Sequence, residues 1–162
     1  MDDTIRIRRY EERDRSACLE LSHRLKDGMA PWRDNGNLND IVSQWVSGSI
    51  DAATSADAAF ADAAFFVADR GGRVIGFASA SRSTHFSGQH DCYVGELVVS
   101  EMEAGNGVGR ALMNRVEAWA QDQGLSRVIL DTGARNTGAR DFYAALGYED
   151  EEVKLSRAIP PA

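Results

Sequence analysis

Cysteine, histidine and long apolar stretches are scarce in this sequence, and each scarcity excludes a class of protein. The 162 residues include two cysteines and three histidines, which are dispersed along the chain. Their spacing matches neither a disulfide framework nor a zinc site, so we expect core thiols and no metal. No apolar run approaches the roughly 20 residues of a transmembrane helix, so we expect no membrane segment.

Positive charge is also scarce. Lys and Arg number 18 against 25 Asp and Glu, which gives a formal net charge of −7 at pH 7. An acidic surface repels a phosphate backbone, so we expect no nucleic-acid partner. The residues Met1-Asp2-Asp3 lack the cationic start and apolar core of a secretory signal, which favours a cytoplasmic protein. The length and a hydrophobic fraction of 43% suit one domain over residues 1–162.

Apolar periodicity predicts the order of the secondary structure. Alternating or continuous apolar residues predict six strands, over residues 5–10, 65–69, 74–81, 92–99, 127–132 and 148–159. Helical spacing predicts four helices, over residues 14–25, from 37 to at least 46 with Ile41 and Trp45 on the apolar face, from 110 to 124, and from 136 to 146. Residues 82–91 suit a polar loop, and the Ala- and Asp-rich residues 51–64 suit either a helix or a loop.

A glycine-rich loop joins the strand over residues 92–99 to the third predicted helix. Three glycines without Cβ atoms stand within five residues, Gly105-Asn106-Gly107-Val108-Gly109. Glycines at a helix N-terminus let backbone N–H groups approach a ligand, and the helix dipole there favours negative charge. The loop is therefore predicted to bind an anion, and phosphate is the natural candidate.

Two common phosphate-binding motifs do not fit this loop. A nucleoside-triphosphate loop would continue with Gly-Lys-Ser/Thr, whereas Gly109 is followed by Arg110 and Ala111. A dinucleotide fingerprint, Gly-x-Gly-x-x-Gly, read from Gly105 ends on Arg110 instead of glycine. A tight strand-to-helix turn without a ligand stays open as the alternative.

Two segments resemble motifs of the GNAT superfamily of N-acetyltransferases. Residues Ala104 to Gly109 resemble its Gln/Arg-x-x-Gly-x-Gly/Ala motif, which binds the pyrophosphate of acetyl-coenzyme A (acetyl-CoA). Ala104 departs from the usual Gln or Arg, which puts one side-chain contact in doubt. Residues Asn136 to Tyr148 resemble the second motif, Asn-x-x-Ala-x-x-Phe-Tyr-x-x-x-Gly-Phe. The resemblance covers roughly the second half of the chain.

The resemblance implies a fold and a cofactor site. The expected fold is an α/β domain with a mixed, mostly antiparallel central sheet and flanking helices. The expected cosubstrate is acetyl-CoA, without a metal. The residues implied in its binding are Leu97, Val98, Val99, Ala104, Gly105, Asn106, Gly107, Val108, Gly109, Arg110, Ala111, Asn136 and Tyr143. Backbone groups of residues 97–99 would bind the pantetheine arm, and Asn136 would contact that arm or hold the strands apart.

The resemblance also implies direct acetyl transfer to a primary amine in a ternary complex. Tyr143 matches the family's general acid, because a phenol keeps its proton at neutral pH. Glu96 stands where some relatives place the base that takes the amine proton, and a salt-bridged structural carboxylate stays open as the alternative. Met29, Trp32 and Arg33 lie in the segment that commonly borders the acceptor.

The acceptor is expected to be a small-molecule or peptide amine. Carboxylates around the first two helices would attract a cationic amine, or they are only a solvated face. A non-catalytic coenzyme A (CoA) sensor and an acyltransferase for longer chains also stay open, as does homodimer formation.

Overall fold

A computed structural model describes residues 4–55 and 62–162, and the described strands form one five-stranded sheet. Residues 56–61, which belong to the Ala- and Asp-rich segment, lie outside the described residues, as do residues 1–3. The strands are β1 (Arg6–Arg9), β2 (Ala63–Arg70), β3 (Arg73–Thr84), β4 (His90–Val99) and β5 (Val128–Leu130).

The sheet follows the order of the chain, β1-β2-β3-β4-β5. The first three pairs are antiparallel and β4 pairs with β5 in parallel, because a helix connects those two strands. The prediction of a mixed, mostly antiparallel sheet is therefore confirmed. As predicted, β1 lies at an edge, and Arg70 and Arg73 flank the tight turn between β2 and β3.

Helices cover both faces of this sheet. The described α-helices are α1 (Arg15–Leu21), α2 (Leu38–Ala53), α3 (Val108–Asp122) and α4 (Thr137–Ala145). Strand residues alternate between two cores: Phe65 and Val67 pack with the α1 and α2 residues Cys18, Val46 and Ile50. The other core joins alternate residues of the same strands to α3 and α4, including Phe66, Ala78, Leu112, Val116 and Trp119.

The parallel ladder between β4 and β5 is short. β5 pairs with β4 only at Cys92, Tyr93 and Val94, whereas β4 continues to Val99. The β3–β4 register shifts at the same level, between Ala78 and Ala80. Such a shift marks a β-bulge, which bends a strand and changes the direction of its side chains. We call the edge of β4 beyond Val94, with which β5 does not pair, the splay.

Three predictions about the secondary structure are wrong. Residues 148–159 form no strand, and Val153 and Leu155 are exposed. The acidic residues before them favour solvent. In addition, β5 spans only three residues and offers a short edge for a further strand. The predicted polar loop is shorter than 82–91, because β3 runs to Thr84 and β4 starts at His90. Ile41 and Trp45 also do not join the core, since α2 buries Val46 and Ile50 instead.

Candidate functional site

The glycine loop ends in the first turn of α3. Gly105 and Gly107 have φ angles of 80° and 82°, in the left-handed region that favours glycine. Ala111 N donates to Gly107 O at 3.0 Å, so the amides of Val108, Gly109 and Arg110 precede the first hydrogen bond of the helix. These amides at the positive end of the helix dipole are suited to binding phosphate. The side chain of Arg110 is exposed beside them.

A buried carboxylate, which no sequence pattern indicated, holds this loop. Glu103 is 5% exposed and accepts two hydrogen bonds from Arg70 Nη1, at 2.9 and 2.8 Å. The same carboxylate accepts from Asn106 Nδ2 at 3.1 Å, and Glu103 O accepts from Asn106 N at 3.2 Å. Arg73 Nη2 lies 3.7 Å from it. Glu103 therefore connects the glycine loop to the β2–β3 turn.

Gly109 is favoured by packing as well as by the predicted access to a ligand. A Cβ atom there would lie 3.1 Å from Cζ of Phe142 and 3.7 Å from Val99. The next residue, Tyr143, packs against Phe142 with ring centroids 5.1 Å apart. The structure thus brings together the two predicted motifs and the end of β4, at the splay.

Tyr143 lies largely buried on the α3 side of the sheet, against the core. Burial disfavours the phenolate and raises the pKa of Tyr143 to about 12. The hydroxyl therefore keeps its proton across the physiological pH range. That property suits a proton donor, and it agrees with the role that the resemblance implies.

Asn136 caps α4 and holds a neighbouring loop. Its Oδ1 accepts from Ala139 N at 3.2 Å, and its Nδ2 donates to the carbonyl of Asp27 at 3.3 Å. A Cβ on Gly28, whose φ is 74°, would lie 2.5 Å from Cβ of Asn136. Gly133 approaches the same loop, since a Cβ there would lie 2.7 Å from Gly28 O. We call this contact between the α1–α2 loop and the β5–α4 loop the clasp.

Glu96 lies on the opposite face of the sheet, under α2, and is 2% exposed. Ser49 Oγ donates to it at 2.7 Å and Ser79 Oγ makes a short hydrogen bond to it. Glu96 N in turn donates to Ser79 Oγ at 3.1 Å. Burial raises the pKa of Glu96, and the Ser79, Ser49 and Trp45 donors offset part of that rise. Gly95 is required here, since a Cβ would lie 2.8 Å from Ser79 Oγ.

Glu96 and Tyr143 therefore approach the splay from its two faces. Between them, Leu97 to Val99 continue β4 beyond the three-residue ladder with β5. Backbone groups of these residues are predicted to bind a pantetheine arm, and β5 does not pair with them. Sequence reasoning missed Ser49, Ser79 and Glu103, because partners this distant in the chain leave no local pattern.

The three predicted acceptor residues lie in the segment between α1 and α2. Pro31–Arg33 form a 3₁₀ turn with Trp32 and Arg33 exposed, and Met29 is half-buried. The guanidinium of Arg135 lies 5.3 Å from the centroid of the Trp32 ring. Trp32 thus contacts the β5–α4 loop, next to the clasp.

The carboxylates that would attract a cation are mostly neutralised. Around the first two helices the predicted carboxylates were Glu11, Glu12, Asp14, Asp27, Asp34 and Asp40. Arginines pair with four of them, as Arg8–Asp14 at 2.7 Å, Arg13–Glu11 at 2.9 Å, Arg15–Glu12 at 2.6 Å and Arg24–Asp27 at 3.6 Å. Asp34 accepts a hydrogen bond from Gly36 N. Such pairing offsets part of the negative charge in this region, and the steering of a cationic amine stays a prediction.

Two absences apply to the described residues alone. Over residues 4–55 and 62–162, no three His, Cys, Asp or Glu side chains cluster as a metal site. None of the helices in this part of the chain is long and apolar enough to cross a bilayer.

Comparisons with known proteins agree with this geometry. The sequence model of the acetyltransferase (GNAT) family matches residues 35–148, which is more than half of the chain. An uncharacterized N-acetyltransferase of Methanocaldococcus jannaschii is 32% identical over 91 residues, which cover 55% of this chain and 40% of that protein. N-acetyltransferase 8F1 of Rattus norvegicus is 32% identical over 90 residues, or 55% of this chain and 41% of that one. The chain spans less than half the length of these relatives.

Solved structures share the fold. A putative acetyl transferase from Pyrococcus furiosus superposes with a TM-score of 0.75 at 17% identity, covering 96% of this chain and 100% of that one. The aminoglycoside N-acetyltransferase AAC(6')-Iy in complex with CoA gives a TM-score of 0.71 at 21% identity, with coverages of 96% and 95%.

Proposed function

Because the chain belongs to the acetyltransferase (GNAT) family, we propose that it transfers the acetyl group of acetyl-CoA directly to a primary amine in a ternary complex. The amine is carried by a small molecule or a peptide. The observation that carries this proposal is the splay, with the glycine loop at one end and Tyr143 and Glu96 on its two sides.

The cofactor end supports binding of CoA. The free amides of Val108, Gly109 and Arg110 bind the pyrophosphate, and Glu103 keeps the loop in place through Asn106. The donor set is suited to an anion and needs no metal. Fold neighbours include a predicted acetyltransferase from Clostridium acetobutylicum determined with acetyl-CoA.

The pantetheine arm follows the free edge of β4 between Leu97 and Val99. Backbone N–H groups there stabilise the negative charge that develops on the acetyl oxygen. The amine nitrogen forms a bond to the acetyl carbon as the carbon–sulfur bond breaks. Tyr143 donates a proton to the leaving thiolate, and the proton lost by the amine passes towards Glu96.

Because Glu96 is buried, the amine proton reaches it through a hydroxyl or a water molecule. Ser49 and Ser79 supply hydroxyls at the carboxylate. The raised pKa of Glu96 makes it a stronger base than an exposed glutamate. The same contacts would also fix the β-bulge, so a structural role for Glu96 must be separated from a catalytic one by experiment.

The test is a steady-state assay of thiol release from acetyl-CoA with a panel of primary amines, combined with mass spectrometry of the acetylated product. Initial rates measured while both substrates are varied should give intersecting double-reciprocal lines, as expected for a ternary complex. Parallel lines would indicate a covalent acetyl-enzyme and contradict direct transfer. Binding of CoA without thiol release for any amine would identify a non-catalytic binding module instead.

A further inference from the structure

An exposed tryptophan, Trp45, lies on α2 near Glu96, the candidate base. Trp45, Ser49 and Ile41 lie four residues apart on α2 and so share one face of that helix. Ser49 donates to Glu96 at 2.7 Å, and the Trp45 side chain, one helical turn before Ser49, is among the groups that hold down the pKa of Glu96. The indole is nevertheless 61% exposed. Trp45 thus lies next to the Ser49–Glu96 contact while most of its ring faces solvent.

Exposure of a single apolar side chain is common and carries no meaning by itself. Trp45 differs because it stands one helical turn from Ser49, which donates to the buried Glu96, and Ile41, 41% exposed, extends the apolar surface along the helix. A tryptophan is a large, rigid ring that gains free energy when another ring covers it. The exposed ring of Trp45 is therefore a binding surface beside the Ser49–Glu96 contact.

The other exposed tryptophan of this region is already engaged. The guanidinium of Arg135 lies 5.3 Å from the ring centroid of Trp32, as in a cation–π contact. The carboxylates nearby are mostly paired with arginines, as described above. Charge therefore offers little to recognise an acceptor, and the free ring of Trp45 offers more.

We propose that the acceptor is a primary amine attached by a short linker to a ring, and that this ring stacks on Trp45 while the amine lies within one hydroxyl or one water molecule of Glu96. This inference rests on the proposed acetyl transfer and names the substrate class for it. Aromatic pairs stack with centroids about 4.5–7 Å apart, so a short linker lets the ring and the amine reach both groups at once.

The experiment compares phenethylamine, which carries a ring, with n-butylamine, which does not, at equal concentrations of neutral amine. The variants are Trp45→Ala, which removes the ring, and Trp45→Phe, which keeps a ring and is safer for folding. Phe86→Ala is the matched control, because Phe86 is an aromatic residue that is 95% exposed outside the site. Saturation-transfer NMR measures binding of each amine in parallel with kcat/KM.

The kcat/KM of the wild type should be about tenfold higher for phenethylamine than for n-butylamine. This ratio corresponds to the free energy of a good aromatic contact together with the area that it buries. Trp45→Ala should abolish that preference, Trp45→Phe should keep most of it, and Phe86→Ala should leave it unchanged. Equal use of both amines by the wild type, or a preference that survives in Trp45→Ala, would overturn the inference.

The NMR arm separates this inference from the proposed function. If neither amine is acetylated but phenethylamine binds the wild type and not Trp45→Ala, the ring site stands and the transfer proposal fails. If phenethylamine binds both proteins equally, the ring site is wrong whatever the activity.

Discussion

The proposed cofactor end and the proposed acceptor end of the splay are built in opposite ways. At the cofactor end, consecutive residues of one loop, from Glu103 to Arg110, supply the backbone amides and their support. At the acceptor end, Glu96, Ser79 and Ser49 come from β4, β3 and α2 and meet only in the folded chain. A site made of neighbouring amides is encoded locally, whereas a site made of distant side chains depends on the tertiary structure.

This difference has a consequence for variation. Backbone amides are present whatever the side chain, so the cofactor end tolerates a change such as Ala104 in place of the usual Gln or Arg. The acceptor end depends on individual side chains, so each substitution there changes which amine fits. We therefore expect changes at the cofactor end to alter CoA binding uniformly, and changes at the acceptor end to alter the choice of amine.

Tyr143 is proposed to act between the cofactor and the acceptor, and removal of its hydroxyl should cause the largest loss of activity. Tyr143→Phe keeps the ring that packs against Phe142 and Tyr148 and removes only the proton donor. We expect kcat to fall by about ten- to a thousand-fold, while CoA binding stays within about twofold. Steady-state kinetics and isothermal titration calorimetry measure the two quantities. An unchanged kcat, with chemistry shown to be rate-limiting, would leave Tyr143 as a packing residue.

A negative charge introduced into the glycine loop should weaken CoA binding, which tests the proposed cofactor end alone. Asp and Asn both tolerate the left-handed backbone of Gly107, and both suit its N-cap position at α3. Gly107→Asp adds a negative charge near the phosphates, and Gly107→Asn is the neutral match. We expect Gly107→Asp to bind CoA about a hundredfold more weakly than Gly107→Asn. Equal affinities for CoA, measured by calorimetry, would place the phosphates elsewhere.

Glu103 should act on the cofactor end as a positioning residue. Glu103→Gln keeps a hydrogen-bonding group but removes the charge that pairs with Arg70. We expect the KM for acetyl-CoA and the Kd for CoA to rise about three- to tenfold with kcat unchanged. Glu103→Asp should recover part of the affinity, and the exposed Glu101→Gln is the control. Tighter CoA binding by Glu103→Gln would instead mean that the freed arginines bind phosphate directly.

The smallest expected effect is a pH-dependent change in the Tm of a Glu96 variant, and it tests the proposed acceptor end. The pKa of Glu96 is higher in the folded protein than in the unfolded chain, so the folded state binds more protons. The stability contributed by Glu96 is therefore lost as pH rises from its unfolded pKa, about 4.3, through its folded pKa. Glu96→Gln does not titrate, so its Tm relative to wild type should rise by about 2–4 °C from pH 4 to pH 8.

Glu101→Gln, on an exposed residue, should show no such pH-dependent difference in Tm. A Tm difference between Glu96→Gln and wild type that stays constant with pH would contradict the raised pKa. The activity of Glu96→Gln separates the two roles of this carboxylate. A structural role changes only Tm, whereas a base also shapes the acidic limb of the pH profile of kcat/KM.

Much of the fold followed from local patterns. Strong apolar periodicity predicted β2, β3 and β4 and the helix after the glycine loop. The second motif predicted the helix that carries Tyr143, with Asn136 at its start. The last predicted strand failed because alternation alone does not supply a neighbouring strand. Ile41 and Trp45 have the spacing of a core face, but the sheet leaves room only for Val46 and Ile50 under α2.

The candidate site was predictable where its residues are consecutive. Glu96 was identified by its place before the end of β4, but its burial and its serine partners were not, because Ser49 and Ser79 stand 47 and 17 residues away. Glu103 was missed for the same reason, since Arg70 lies 33 residues before it. The sequence explained Gly109 only by ligand access, whereas close packing against Phe142 also favours it.

The clasp limits how this fold can be re-engineered. Asn136 is bonded both to the first turn of α4, which carries Tyr143, and to the carbonyl of Asp27 in the α1–α2 loop. Gly28 fits only because it has no Cβ against Asn136. A loop grafted between α1 and α2 from another protein would need a glycine at the same contact and a carbonyl for the Asn136 amide. Residues 27, 28, 133 and 136 should therefore be transplanted as one unit.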